Sequence, residues 1–289
     1  MQENNCLYIN SMGLRKICNI TSLNNDKFVN EYNFHTFNNN DVVFIKTDKI
    51  RALLKRIKQI TKNIVMVIGS SDYTIPDDIF KNESEFINFI NNKFIKRFYI
   101  QNCTYKHPKI INLPIGLDYH TMVNNDMWGP CLNPIMQEEI LINIKNNSKP
   151  FDQRIIKCFA NFHFQTNTKY GYDRINAINH INNNLIFYQN NKITRTETWI
   201  NQVNYAFVIS PHGNGLDCHR TWEALILGSI VIVKTSKLDD MYIDLPVLIV
   251  NEWCDINNDL LVNTINDFKN KKFNYDKLLL NYWFKEFNK

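Results

Sequence analysis

Residues 207–233, FVISPHGNGLDCHRTWEALILGSIVIV, decide the architecture of this chain. The stretch opens with a short apolar run at 206–209 and closes with another at 230–233. Both are brief and rich in β-branched residues, the composition of strands buried on two faces. Between them the pattern predicts one helix, with Asp217 at its N-cap, His219 to Leu227 carrying the helical period and Gly228 as a left-handed stop. A strand, a helix and a strand so close together form a βαβ unit, which requires parallel strands and a right-handed crossover.

The linker into this helix is Ser210-Pro211-His212-Gly213-Asn214-Gly215. Its glycines let backbone N–H groups approach a ligand, and the linker leads to a helix N-terminus, where anions are favoured. Arg220 and Glu223 lie three apart and share a face near that end, whereas Trp222, Leu225 and Ile226 bury another. A guanidinium grips phosphate bidentately, and a carboxylate one turn on accepts from two sugar hydroxyls. These are the parts of a site for a nucleotide diphosphate sugar. Spacing alone equally allows an ion pair on a solvated face beside a plain turn. His212 could donate to the phosphates or simply hold that turn.

The segment SPHGNGLDCHRTWEALILGSIVIV resembles the donor-binding segment of exostosin-like glycosyltransferases. That family shows a Ser-Pro, a glycine loop, an Arg-Thr-Trp-Glu-Ala-Leu helix, a glycine and an apolar strand in this order. The resemblance is confined to this segment. It implies an α/β chain of the GT-B type, two Rossmann-like doubly wound domains facing a cleft, with a C-terminal helix packing back on the first. It also implies metal-independent, inverting transfer from a nucleotide-diphosphate sugar to a glycan or glycoprotein acceptor. The donor residues would be His212, Gly213, Asn214, Gly215, Arg220 and Glu223. No Asp-X-Asp follows a predicted strand, in keeping with transfer that needs no metal cofactor.

A chain of 289 residues exceeds one typical domain and suits two cores. The strand–helix alternation places them at 1–150, an acceptor-side domain, and 151–289, the nucleotide-sugar domain. Predicted strands of the first are 6–10, 42–46, 64–68, 97–100 and 109–114, with a basic helix at 48–60. The second has strands at 155–159, 185–188 and 247–250 besides the opening pair, and closing helices at 258–269 and 276–287.

The net charge of +5 is mild and spread along the chain, with no Lys/Arg run, so nucleic acid is not an expected partner. Seven cysteines, odd in number and without a CxxC, read as free thiols. No apolar run approaches the roughly 18 residues of a membrane span. The start, Met1-Gln2-Glu3-Asn4-Asn5, lacks the basic and apolar regions of a signal peptide, so the expected location is the cytoplasm. Animal exostosins, by contrast, are membrane-anchored.

In open parallel sheets ligands bind outside the carboxyl ends of the strands. That rule selects Ser11, Gly13, Asp72, Asp118 and His120 in the first domain, and Asn161, His163 and 212–214 in the second. Transfer needs charge stabilisation for the departing diphosphate and a base for the acceptor hydroxyl. The catalytic candidates are Asp72 and then Asp118, with His120 third; His120, Asn161 and His163 are candidates for contact with acceptor or sugar. Thr235-Ser236-Lys237 is placed to shape the nucleotide's base pocket. The competing reading is a non-catalytic module that binds nucleotide or glycan on the same fold.

Overall fold

A computed structural model describes residues 2–21, 32–162, 166–189 and 191–289. The chain is α/β and forms two parallel sheets. The first contains β1 (Val42–Lys46), β2 (Ile64–Gly69), β3 (Ile95–Ile100) and β4 (Ile110–Asn112), in the order β1-β2-β3-β4. Its helices are α1 (Ser11–Lys16), α2 (Ile50–Leu54) and α3 (Glu83–Ile90). Alternation along the strands sorts the apolar residues onto two faces. Val43, Ile45, Met66, Ile68 and Phe98 meet Leu53, Phe86 and Phe89 of α2 and α3. Val42, Phe44, Val65, Val67 and Tyr99 belong instead to a core that continues into the second half, reaching Phe159, Val208 and Trp222.

Two helices, α4 (Thr121–Asn124) and α5 (Pro134–Asn146), lead to the second sheet. It contains β5 (Ile155–Ala160), β6 (Ile186–Tyr188), β7 (Tyr205–Ile209), β8 (Ile230–Lys234) and β9 (Val247–Val250). Their spatial order is β6-β5-β7-β8-β9, every pair parallel. The chain therefore starts inside the sheet, steps one way to β6, and returns past β5 to β7. A crevice opens at such a switch point, between the carboxyl ends of β5 and β7. The helices are α6 (Tyr172–His180), α7 (Arg195–Gln202), α8 (His219–Ile226), α9 (Asn258–Phe268) and α10 (Leu280–Phe287).

The chain's last helix lies against the first sheet. Tyr99 of β3 packs against Phe287 with ring centroids 4.7 Å apart and planes tilted by 60°, and donates its hydroxyl to the Glu286 carbonyl at 2.6 Å. The segment before α10 also pairs with the start of the chain, where Ile9 N–H donates to Leu278 O.

Several expected elements differ. Residues 6–10 are not a sheet strand, because Tyr8 and Asn10 make only isolated bridges, to Leu279 and Leu117. The Asn10 side chain accepts the Gly13 N–H and turns the chain into α1, so Ser11 and Gly13 sit in a helix instead of a strand-end loop. The basic helix of 48–60 breaks into a 3-10 turn, α2 and a second 3-10 turn at Ile57–Gln59. In α8 the N-cap is Cys218, not Asp217. Gly228 does supply the left-handed stop, at φ 78°. All seven cysteines are free, and burial pushes the Cys103 thiol up to about 11. Among the described residues, no helix is long and apolar enough to cross a membrane.

Candidate functional site

A cleft of about 490 Å³ lies where loops at the carboxyl ends of the two sheets meet. Asp72 (after β2) and Asp118 (after β4) line it from the first half. From the second half come Asn161 after β5, Asn214 and Gly215 after β7, and Arg220 and Glu223 of α8. These expected residues are brought together. His120, His212 and Gly213 do not line the cleft, and His163 lies outside the described residues.

The glycine loop works differently from the expectation. His212 N–H donates to Asp173 Oδ2 at 2.9 Å, and Gly213 N–H donates to Gly215 O at 3.0 Å. Both amides are thus used within the protein and neither is available to a phosphate. The His212 ring is held too, Nδ1 donating to Leu216 O at 2.8 Å. Glycine at 213 makes room for a neighbour: a Cβ there would stand 2.2 Å from Arg174 Nη2. Glycine at 215 lets the halves close, since a Cβ would meet Asn102 Nδ2 at 2.9 Å and the Asp72 carbonyl at 3.2 Å.

Arg220 of α8 is held at one nitrogen and, among the described residues, left unpaired at another. Nη2 donates to Pro211 O at 2.8 Å, and the guanidinium stands 5.4 Å from the centroid of the Phe162 ring. Its Nε is buried and has no hydrogen-bond partner among the described residues. Burial foremost, and the like charge of Arg174, push the guanidinium below its ordinary range. Arg174, on α6, lines the same cleft. Spacing gave no hint of it, because it reaches the cleft from a different helix.

Arg195, the first residue of α7, is a second lining residue that spacing did not reveal. It follows Thr194, which forms a capping box with Glu197. In space it joins three elements. It donates Nη1 to the Asp118 carbonyl and to Gln137 Oε1, and its Nε stands 3.8 Å from Glu223 Oε1.

Two carboxylates of the cleft have opposite surroundings. Asp118 Oδ1 accepts the Thr121 N–H at 3.0 Å and lies 2.9 Å from His120 Nδ1, while Oδ2 is 3.8 Å from Arg195 Nη2. Burial alone would raise Asp118. The His120 hydrogen bond, with the charge of His219 when that ring is protonated and those of His120 and Arg195, instead holds it well below the carboxylate range. A carboxylate so held is a weak proton acceptor, which counts against Asp118 as the base. Asp217 is buried between N–H donors: Ile115 at 2.7 Å, Cys218 at 2.9 Å and the Trp222 indole at 2.9 Å. Burial outweighs those bonds and pushes it up to about 7. Its role is to tie α8 to the loop after β4.

Asp72 is exposed, and its carboxylate has no hydrogen-bond partner among the described residues. Asn161 donates Nδ2 to Thr198 Oγ1 at 2.6 Å, leaving its carbonyl for a ligand. Thr235, Ser236 and Lys237 lie outside the cleft wall; Thr235 Oγ1 and Ser236 N–H both donate to Asp239, which folds that turn on itself. No protein-family model matches this sequence, nor does any curated protein.

Proposed function

We propose that this chain is a glycosyltransferase, moving a sugar from a nucleotide diphosphate donor to a hydroxyl of a glycan or similar acceptor. On this reading its halves, 1–150 and 151–289, work as the two Rossmann-like domains of a GT-B enzyme, and no metal ion is required. One observation supports it above the rest. Two arginines from different helices, Arg174 and Arg220, meet on the wall of one crevice, near enough that the first disfavours the charge of the second. Like charges gathered in a poorly solvated place are relieved by an anion between them. Diphosphate is such an anion, and its charge grows as the sugar leaves.

Glu223, one turn beyond Arg220, is then placed to accept from the ribose hydroxyls, with Arg195 fixing its carboxylate. The crevice at the β5/β7 switch point is where this sheet type receives nucleotides. The resemblance of 210–233 to the exostosin donor segment points the same way.

The second reading, a binding module without turnover, draws on one feature: Asp118 is engaged by Thr121, His120 and Arg195 and is poorly suited to take a proton. Incubating the protein with nucleotide sugars and measuring free nucleoside diphosphate separates the two. A transferase slowly passes its donor to water. Tight binding with no release would favour the module, and neither binding nor release would remove both.

A further inference from the structure

His219 lines the cleft as the first residue of α8, half-buried, beside Arg220. Its Nδ1 lies 2.7 Å from the carbonyl oxygen of Gly116, in the loop after β4 of the first half. A carbonyl can only accept, so Nδ1 carries the hydrogen and the neutral ring keeps its lone pair on Nε2. Nε2 has no partner among the described residues. The carbonyl is itself well placed: Gly116 has φ +68°, and a Cβ there would stand 2.7 Å from Ile9 O, so both conformation and space demand glycine.

We infer that His219 is the general base of the transfer, taking the acceptor's hydroxyl proton on Nε2. The inference rests on the donor reading above and adds to it the residue that activates the acceptor. Inversion needs base and leaving group on opposite sides of the anomeric carbon. Successive helix residues point about 100° apart, and the contacts of these two diverge accordingly. Arg220 turns to Pro211 and Phe162 of the second half, whereas His219 turns to Gly116 of the first.

In the step, the acceptor oxygen bonds to the anomeric carbon as its proton passes to Nε2. The bond from that carbon to the diphosphate oxygen breaks, and the electron pair leaves on the diphosphate, whose charge Arg220 balances. The imidazolium stands within the electrostatic reach of Asp118 and later releases its proton to water. Asp72, the other candidate, is exposed at the cleft with no hydrogen bond to orient its carboxylate. The fixed tautomer of His219 favours the histidine.

The test uses the full chain and water as acceptor, with UDP-glucose, UDP-galactose, UDP-N-acetylglucosamine and GDP-mannose as probes. The donor that wild type hydrolyses fastest is carried forward. His219→Asn keeps an N–H for the Gly116 carbonyl but has no Nε2. It is expected to bind that donor within about twofold of wild type and to hydrolyse it at least ~100-fold more slowly, the lower end of general-base effects. Added imidazole should restore part of the rate in His219→Ala and none in Asp72→Asn. The inference is overturned if His219→Asn hydrolyses the donor within about threefold of wild type, because the histidine then supplies only the bond to Gly116. It is overturned equally if Asp72→Asn shows the loss expected of His219→Asn. Should wild type bind a probe but hydrolyse none, this inference is overturned while the donor reading stands; should it bind none, both fall.

Discussion

The two sheets are built from the same kind of strand yet contribute differently to the cleft. In the first, strands follow one another in chain order, β1 to β4, so no switch point opens among them. In the second the order reverses at β5, and the crevice there holds Arg174, Arg220 and Glu223. The first half reaches the cleft only through loops, with Asp72, Asp118 and the Gly116 carbonyl. Strand order thus sets a crevice in the second sheet against loops alone in the first. On the proposed reading, substitutions at Arg220 and Glu223 should act on donor affinity, and those at His219, held by the first-half Gly116 carbonyl, on turnover.

Substitutions at these residues test the division directly. The largest effect expected is from Glu223→Ala, which removes a charged acceptor of two hydroxyl hydrogen bonds; donor affinity should fall roughly 100-fold or more by calorimetry, with the circular dichroism spectrum unchanged. Arg220→Lys exchanges a planar fork for a point charge and should cost roughly tenfold in affinity. Asp72→Asn, in the first half, should leave affinity within about twofold, a change too small to need any direct contact with the donor. On the proposed reading a chelator should leave donor hydrolysis unchanged, because Arg174 and Arg220 would then offset the diphosphate charge.

Half-buried Asp118 and buried Asp217 offer a finer comparison, read as thermal midpoint against pH. Asp118 is lowered in the folded state, so its contribution is present above the ordinary carboxylate range and is lost as pH falls through that range. The gap between wild type and Asp118→Asn should close in acid. Asp217 is raised to about 7, so the folded state keeps a proton that the unfolded chain has already lost. Its contribution should decline as pH rises from about 4 towards about 7, a slope that Asp217→Asn abolishes. Slopes of the same sign in both variants would mean that the surroundings assigned to one of them are wrong.

The 207–233 stretch was informative because its signals are local. Apolar runs gave β7 and β8, Gly228 gave the stop, and the three-residue spacing set Arg220 and Glu223 on one cleft-facing side. Arg174 and Arg195 were not legible, because each belongs to a separate helix and meets the cleft only through the folding of α6 and α7 against β5 and β7. The Gly213 loop is ambiguous for a related reason. A glycine loop before a helix fits phosphate binding and close packing equally, and only the Asp173 and Gly215 hydrogen bonds decide for packing. Residues 6–10 failed as a strand because a single cap, Asn10 on Gly13, outweighs a short apolar run.

The claim most in need of a direct test is that the second-half crevice holds a nucleotide diphosphate sugar between Arg220 and Glu223. Isothermal titration of wild type, Arg220→Lys and Glu223→Ala with a panel of such sugars measures it. At least one donor should bind the wild type, and both variants should bind it more weakly, Glu223→Ala most. Equal binding by all three proteins, or none by the wild type, would contradict it.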